Sequence, residues 1–149
     1  MNPIKVKPEK NGADKAEKER TGKRKGYEMY NNFGEFIEKK REEKGITLRA
    51  MAKELGFSAP FYSDVEKDRR NPFAIEKLEQ IARILILSDE DRITMYNLAG
   101  QKRDEIAPDL PNYIKSNDYV SAALRTARDL DAGEEEWLAF IEELKKRKG

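Results

Sequence analysis

The stretch GITLRAMAKELGFS at residues 45–58, followed by APFYSDVEKDRR at residues 59–70, decides the fold of this chain. Thr47 is a good helix N-cap, and the apolar residues after it recur at helical spacing. Gly56 then favours a left-handed turn that ends the helix, because glycine adopts that conformation without steric cost. Ser58 can cap a second helix. The stretch therefore predicts two short helices joined by a tight turn, a helix-turn-helix.

The second of these helices is predicted at residues 59–67. Pro60 suits its first turn, where a backbone N–H has no intrahelical partner. Tyr62 and Val65 are expected to face inward, which leaves the opposite side exposed. In a helix-turn-helix such a side meets the edges of DNA bases in the major groove. The outward residues are Ala59, Pro60, Phe61, Ser63, Asp64 and Lys67.

The flanking sequence predicts further helices and no strand. Asn32, with Glu35 three residues later, resembles a capping box, and Ser88 followed by three acidic residues caps another helix. Apolar positions recur at helical spacing on both sides of the central stretch. They are Phe33, Phe36, Ile37 with Lys40, then Ile75, Leu78, Ile81, Ala82, Leu85, and finally Ile93, Tyr96, Leu98 and Ala99. These patterns indicate an all-α domain.

The order of small and apolar positions over residues 33–87 resembles the Xre/Cro-type helix-turn-helix regulators, which include the lambdoid phage repressors. The matching positions are Gly45-Ile46-Thr47, Met51-Ala52, Leu55-Gly56, Ser58, Tyr62, Val65-Glu66 and Arg69-Arg70-Asn71-Pro72. The resemblance implies a five-helix lambda-repressor-like domain at residues 32–100 whose third helix, residues 59–67, is the recognition helix. Asp68 stands where the family usually has glycine, and Met51 replaces a common leucine. Because aspartate tolerates the left-handed region, we expect the same fold at a small local cost.

Composition argues against most enzyme classes. The chain of 149 residues has no cysteine and no histidine, so thiolate and imidazole ligands and nucleophiles are missing. Acidic residues such as Glu38, Glu42 and those at 134–136 follow helical charge patterns that are typical of solvated faces. We therefore expect no catalytic activity, metal or cofactor. The absence of a long apolar run and of a signal-peptide core predicts a cytoplasmic protein without a membrane segment.

Charge is segregated along the chain although the total is only +1. Residues 1–26 carry a net charge of +5, residues 33–87 carry +1 and residues 88–149 carry −4. Residues 1–31 are predicted to be a basic, flexible arm, because their first 26 residues have almost no large apolar side chains. Such an arm can follow phosphates or enter a minor groove; the alternative is a solubilising tail with no specific role.

Phosphate contacts are predicted beside the recognition helix. In the family pattern the chain turns toward the DNA backbone at Arg69 and Arg70, and free amides near Thr47 and Ser58 add donors. For Arg49 and Lys67 two interpretations remain open: a contact with DNA, or an ordinary solvated charge. The candidate DNA-binding residues are Thr47, Arg49, Ser58, Ala59, Pro60, Phe61, Ser63, Asp64, Lys67, Arg69, Arg70 and Asn71.

The predicted recognition of DNA bases is degenerate. On the outward face only Ser63 and Asp64 are expected to recognise base edges through polar groups. Asp64 would accept a hydrogen bond from a cytosine amino group, or would pair with Lys67 instead. Phe61 is expected to be exposed, where it can pack on thymine methyl groups; the alternative is a core position. Such a code implies help from DNA shape and dimerisation.

The remainder of the chain is predicted to be a linker at residues 101–116 and a pair of helices at residues 117–149. One helix carries Val120, Ala123, Leu124, Ala127 and Leu130, and the other, beginning after Gly133, carries Trp137, Phe140, Ile141 and Leu144. A pair of this size cannot bury its apolar faces alone. We expect a homodimer contact; the alternative is that the pair folds back to complete the monomer core.

The sequence thus predicts a DNA-binding transcriptional regulator, a dimeric repressor that reads an inverted repeat through residues 59–67. The main alternative is a protein-interaction module, antitoxin-like or an adaptor, whose C-terminal helices bind a partner protein. A carboxylate-dependent nuclease is a distant third. The resemblance to regulators of phages and integrative elements also implies an inactivating partner protein. We do not expect autoproteolysis, because residues 117–149 lack the serine and lysine context of a self-cleaving repressor domain and are short for one.

Overall fold

The structure is a computed structural model, and it describes residues 29–149. Within this range the backbone forms eight helices and no strand, which confirms the predicted all-α class. The helices are α1 (Phe33–Glu43), α2 (Leu48–Leu55), α3 (Ala59–Glu66), α4 (Ile75–Ile84), α5 (Asp89–Arg103), α6 (Pro111–Lys115), α7 (Asp118–Asp129) and α8 (Glu134–Lys148). None of these helices is long and apolar enough to cross a membrane.

Helices α1–α5 belong to a first compact unit that ends at Pro108. The predicted caps are in place: the side chain of Asn32 accepts a hydrogen bond from the Glu35 amide at 2.8 Å, and that of Ser88 accepts from the Asp91 amide at 3.0 Å. The Glu35 carboxylate accepts from the amide of Asn31, one residue before the expected position. These local bonds satisfy amides that a helix start leaves free.

The core of this unit is formed by the predicted apolar faces of all five helices. Its buried apolar residues are Phe33, Phe36, Ile37, Met51, Ala52, Leu55, Tyr62, Val65, Phe73, Leu78, Ile81, Ala82, Leu85, Leu87, Met95, Tyr96, Leu98 and Ala99. The prediction was wrong for Ile93, which is 57% exposed because the buried side of α5 begins at Thr94 and Met95. Lys40 is half-buried and pairs with Asp91 at 3.0 Å.

The predicted N-terminal arm lies almost wholly outside the described residues. Of its 31 residues the structure describes the last three. One of them, Tyr30, packs on the core: its ring contacts that of Phe36 edge-on, with ring centroids 4.9 Å apart. Tyr30 therefore packs on the first unit although it precedes Asn32, at which the sequence pattern placed the start of the domain.

The predicted linker contains regular structure. Helix α5 continues to Arg103 and ends at Asp104, whose backbone is left-handed with a φ of 59°. Helix α6 then forms at Pro111–Lys115, because Pro111 suits a first helical turn. The predicted linker at residues 101–116 therefore includes the last residues of α5 and the whole of α6.

The second unit, residues 109–149, consists of α6, α7 and α8. Helices α7 and α8 confirm the two predicted C-terminal helices, and α8 begins directly after Gly133. None of the residues in these three helices is buried. The exposed large apolar side chains are Leu110, Tyr113, Tyr119, Leu124, Leu130, Trp137, Leu138, Phe140, Ile141 and Leu144. This unit therefore has no hydrophobic core of its own.

Candidate nucleic-acid interface

Helices α2 and α3 form the helix-turn-helix that the sequence predicts. The hydroxyl of Thr47 accepts a hydrogen bond from the Ala50 amide at 3.1 Å, and that of Ser58 accepts from the Phe61 amide at 3.2 Å. Between the helices Gly56 has a φ of +82°, the left-handed conformation expected at a glycine C-cap. Each helix therefore starts at an exposed, hydroxyl-capped end with further backbone amides free to donate.

Helix α3 turns one side inward and leaves the other accessible. Tyr62, Val65 and Glu66 are buried, whereas Pro60 and Lys67 are exposed. Burial in the core raises the pKa of the Tyr62 phenol above its ordinary value. The remaining outward residues, Ala59, Phe61, Ser63 and Asp64, are half-buried. Less of this side is therefore exposed than on an isolated helix.

The expectation that Phe61 is exposed was wrong. Its ring packs in an aromatic cluster, which we define as Phe57, Phe61 and Phe73, with centroids 5.0 Å from Phe57 and 6.2 Å from Phe73. Phe73 follows the recognition helix in sequence, and its side chain packs back against that helix. The buried stripe of α3 is therefore wider than the pattern of residues 59–67 alone indicates. Phe61 is therefore in large part a packing residue, which leaves it half-buried rather than exposed.

The structure does not support the alternative in which Asp64 pairs with Lys67. Its carboxylate lies 3.5 Å from Nη1 of Arg69 and 3.6 Å from Nε of Arg70. The chain turns back after α3, where the amide of Arg69 donates to the carbonyl of Asp64 at 2.8 Å, and this turn brings the two guanidinium groups to the carboxylate. Exposed pairs of this kind contribute little stability, so a phosphate can replace the carboxylate at small cost.

Residues 69–71, which we call the arginine loop, follow α3 and are all exposed. The side chains of Arg69 and Arg70 are 67% and 53% exposed. The Arg70 guanidinium lies over the Phe61 ring, 4.9 Å from its centroid, an attraction that favours one orientation of the arginine. Asp68 precedes the loop with a φ of +64°, which confirms the left-handed conformation expected there.

The end of α5 holds this loop, an arrangement that sequence analysis missed. Nζ of Lys102 donates to the carbonyl of Asp68 at 3.2 Å and lies 3.0 Å from its carboxylate. The Arg103 guanidinium donates to the carbonyl of Pro72. These contacts join residues more than thirty positions apart, and no local pattern indicates them.

A buried ion pair behind the recognition helix was also missed. Arg41 donates from Nε to Oε2 of Glu66 at 2.7 Å and from Nη2 to Oε1 at 2.9 Å. Its third donor group, Nη1, reaches the carbonyl of Ile46 at 2.8 Å. The bonds to Glu66 raise the pKa of Arg41 above its ordinary value. The position of Glu66 four residues after Tyr62, on the inward side of α3, was the available signal for a buried carboxylate that needs a partner.

The structure therefore brings together some of the predicted residues and leaves others apart. Phe61, Asp64, Arg69 and Arg70 form one contact group at the end of α3. The other candidates lie on the surface of the same motif: Thr47, Arg49, Ser58, Pro60, Lys67 and Asn71 are exposed, and Ala59 and Ser63 are half-buried.

Comparison with known proteins agrees with this geometry. Residues 32–94 match the family described as "Helix-turn-helix domain". Two proteins of Mycobacterium tuberculosis, from strains CDC 1551 and H37Rv and each named an uncharacterized HTH-type transcriptional regulator, are 37% identical over 84 residues, which is 51% of this chain and 57% of theirs. The chain thus spans little more than half the length of these relatives.

A solved structure of a SinR protein/SinI protein complex aligns with 78% of this chain and 97% of its own, at 20% identity and a TM-score of 0.37. The family match bears on the part of the chain with the described interface. It agrees with the helix-turn-helix formed by α2 and α3, and together with the named relatives it supports the predicted resemblance to regulators of that type.

Proposed function

We propose that this protein is a DNA-binding transcriptional regulator that inserts α3 into the major groove. The observation that carries the proposal is the exposed arginine loop directly after a capped helix-turn-helix. In this arrangement the helix supplies contacts to base edges, and the cations that follow it contact the DNA backbone. The names of the Mycobacterium relatives support the same class of function.

Phosphate contacts would supply most of the affinity. Arg69 and Arg70 would exchange the Asp64 carboxylate for phosphate oxygens, and the free amides at the capped starts of α2 and α3 would add neutral donors. Further contacts at the edge of the interface can come from the other exposed polar candidates, which include Arg49 and Asn71. Ser63 and Asp64 are left as the polar groups for base reading, so direct sequence recognition would be sparse.

We further propose that residues 109–149 form a homodimer interface. Their three helices bury no residue, and Trp137, Phe140, Ile141 and Leu144 recur on one face of α8. The sequence of α8 also suits pairing with itself. Because its first turn is acidic and its last turn basic, an antiparallel contact between two copies would place opposite charges together.

A dimer would present two recognition helices about one turn of DNA apart, roughly 34 Å, and would select an inverted repeat. Bound at a promoter, it would exclude other proteins from the same DNA, so repression is the direct consequence. The proposed activity needs no catalytic residue and no cofactor, and the location we propose for it is the cytoplasm.

The second candidate function is that of a protein-interaction module. The same exposed apolar residues of α7 and α8 that suit a second copy also suit a different protein. A partner that covered this surface would compete with dimerisation and thereby inactivate the regulator. In an antitoxin-like or adaptor protein, this contact would be the primary function and DNA binding secondary.

The two candidates are separated by measuring mass and DNA binding on one preparation. Sedimentation equilibrium of the full chain gives its oligomeric state, and titration of labelled duplex DNA gives its affinity. The regulator hypothesis predicts a dimer that binds duplex DNA in a salt-dependent manner. A monomer without measurable DNA affinity at low salt would favour the interaction module.

A further inference from the structure

We infer that Lys102 and Arg103 are positioning residues of the DNA interface, which hold the arginine loop in the conformation that meets the phosphates. The inference rests on the proposed function. It concerns two cations that the helix-turn-helix itself does not contain, since they lie at the C-terminal end of α5.

The two side chains anchor the loop at both of its ends. On one side Lys102 holds Asp68 through the carbonyl, at 3.2 Å, and the carboxylate, at 3.0 Å. On the other side Arg103 holds the carbonyl of Pro72, a buried residue that leads into the aromatic cluster. Only residues 69–71 lie between these anchors. A segment of three residues fixed at both ends has little conformational freedom left to lose when it binds.

Asp68 gives this arrangement a feature that glycine would lack. Its φ of +64° is the conformation that glycine adopts most readily, so the backbone alone would favour glycine here. The carboxylate of Asp68, however, is the acidic partner of Lys102. The departure from the pattern of similar regulators therefore coincides with an added contact to α5.

Direct phosphate binding fits the geometry of Lys102 less well than that of the arginine loop, whereas Arg103 is exposed. The side chain of Lys102 is 28% exposed, whereas those of Arg69 and Arg70 are 67% and 53% exposed. Lys102 already has a carbonyl and a carboxylate as partners, and Arg103 has a carbonyl. A phosphate that displaced these partners would release the loop. We therefore expect these two cations to affect DNA binding indirectly, by holding Arg69 and Arg70 in place.

A double-mutant cycle tests this dependence. The four proteins are the full chain, Arg69→Ala/Arg70→Ala, Lys102→Met/Arg103→Met, and the quadruple variant. Methionine keeps an unbranched side chain but removes the charge and the donors. The probe is one labelled mixed-sequence duplex, titrated at several KCl concentrations, and thermal unfolding checks that each variant is folded. Lys53→Met/Arg83→Met, two exposed cations elsewhere in the first unit, controls for the loss of two charges.

We expect Lys102→Met/Arg103→Met to weaken binding about tenfold in the full chain and less than about twofold when Arg69 and Arg70 are already alanine. The control pair should change affinity less than about threefold. Equal losses in both backgrounds would show independent phosphate contacts and would overturn the inference while leaving the proposed function intact. If the unmodified chain does not bind the duplex at low salt, the proposed function itself fails.

A second variant keeps the test decisive if the methionine variant does not fold. Asp68→Gly retains both cations and a backbone that accepts the left-handed conformation, but it removes the carboxylate that Lys102 holds. Loss of a negative charge near the phosphates would by itself tighten binding. Loss of positioning predicts weaker binding, by about threefold or more. Unchanged or tighter binding would overturn the inference.

Discussion

Arg41 and Glu66 are joined by two hydrogen bonds, of 2.7 and 2.9 Å, that connect α1 to the last turn of the recognition helix. Both residues are buried, so each charge depends on its partner rather than on solvent for stabilisation. The pair fixes the end of α3 from behind, directly before the arginine loop. Its geometry therefore bears on both the stability of the domain and the placement of its DNA contacts.

Arg41→Met is expected to destabilise the domain by about 3–5 kcal/mol, because it leaves the Glu66 carboxylate buried without its partner. The double variant Arg41→Met/Glu66→Met should recover part of this loss, since two apolar side chains leave no unpaired charge. Urea unfolding measures both free energies. If the double variant is no more stable than the single one, the ion pair is not the source of the loss.

Gly34→Ala should also destabilise the domain. Helix propensity alone favours alanine by about 1 kcal/mol within a helix. At this position, however, a Cβ atom would overlap the carbonyl oxygens of Val65 and Glu66, because α1 passes close to the end of α3. We expect a net loss of about 1–3 kcal/mol by urea unfolding.

The exposed position Ala50 provides the control for helix propensity. Ala50→Gly should cost about 1 kcal/mol, since its side chain adds no packing. A Gly34→Ala protein as stable as the original would mean that α1 and α3 are not in contact at this point.

Arg69→Ala/Arg70→Ala is expected to weaken binding to every duplex sequence and to leave folding intact. If each arginine contacts one phosphate, the slope of log K against log salt should become shallower by about 1.8 in total. Fluorescence anisotropy with mixed-sequence DNA over a KCl series measures the slope. Unchanged affinity and slope would remove both arginines from the interface.

Phe140→Asp should convert the proposed dimer into a monomer, because it introduces a charge on the apolar face of α8. The matched control is Ala139→Asp, which places the same charge on the opposite side of that helix. Sedimentation equilibrium distinguishes the two proteins. A dimer that persists with Phe140→Asp, or is lost equally with Ala139→Asp, would contradict the proposed role of this face.

Local features of the fold could be predicted from sequence, and long-range contacts could not. Thr47, Gly56 and Ser58 act on amides or torsions within a few residues, so their roles are visible in the sequence itself. The bond between Arg41 and Glu66 spans 25 positions, and the one between Lys102 and Asp68 spans 34. Neither pairing has a local signature.

Phe61 shows the same limit at the candidate site. The helical period of α3 assigns it to the outer side, next to the buried stripe of Tyr62 and Val65. Its half-buried state depends on Phe57 and Phe73, which belong to the turn before the helix and the segment after it. Helical periodicity describes one helix, whereas burial depends on the neighbours that the fold supplies.

The most direct test of the central claim is selection of DNA by the purified full chain from a pool of random duplexes at near-physiological salt. A dimeric regulator predicts that the recovered sequences share an inverted repeat, with half-sites about one helical turn apart. Recovery of no preferred sequence, with only weak and salt-sensitive binding, would contradict the assignment of α3 as a sequence-reading helix and direct the search to a protein partner of residues 109–149.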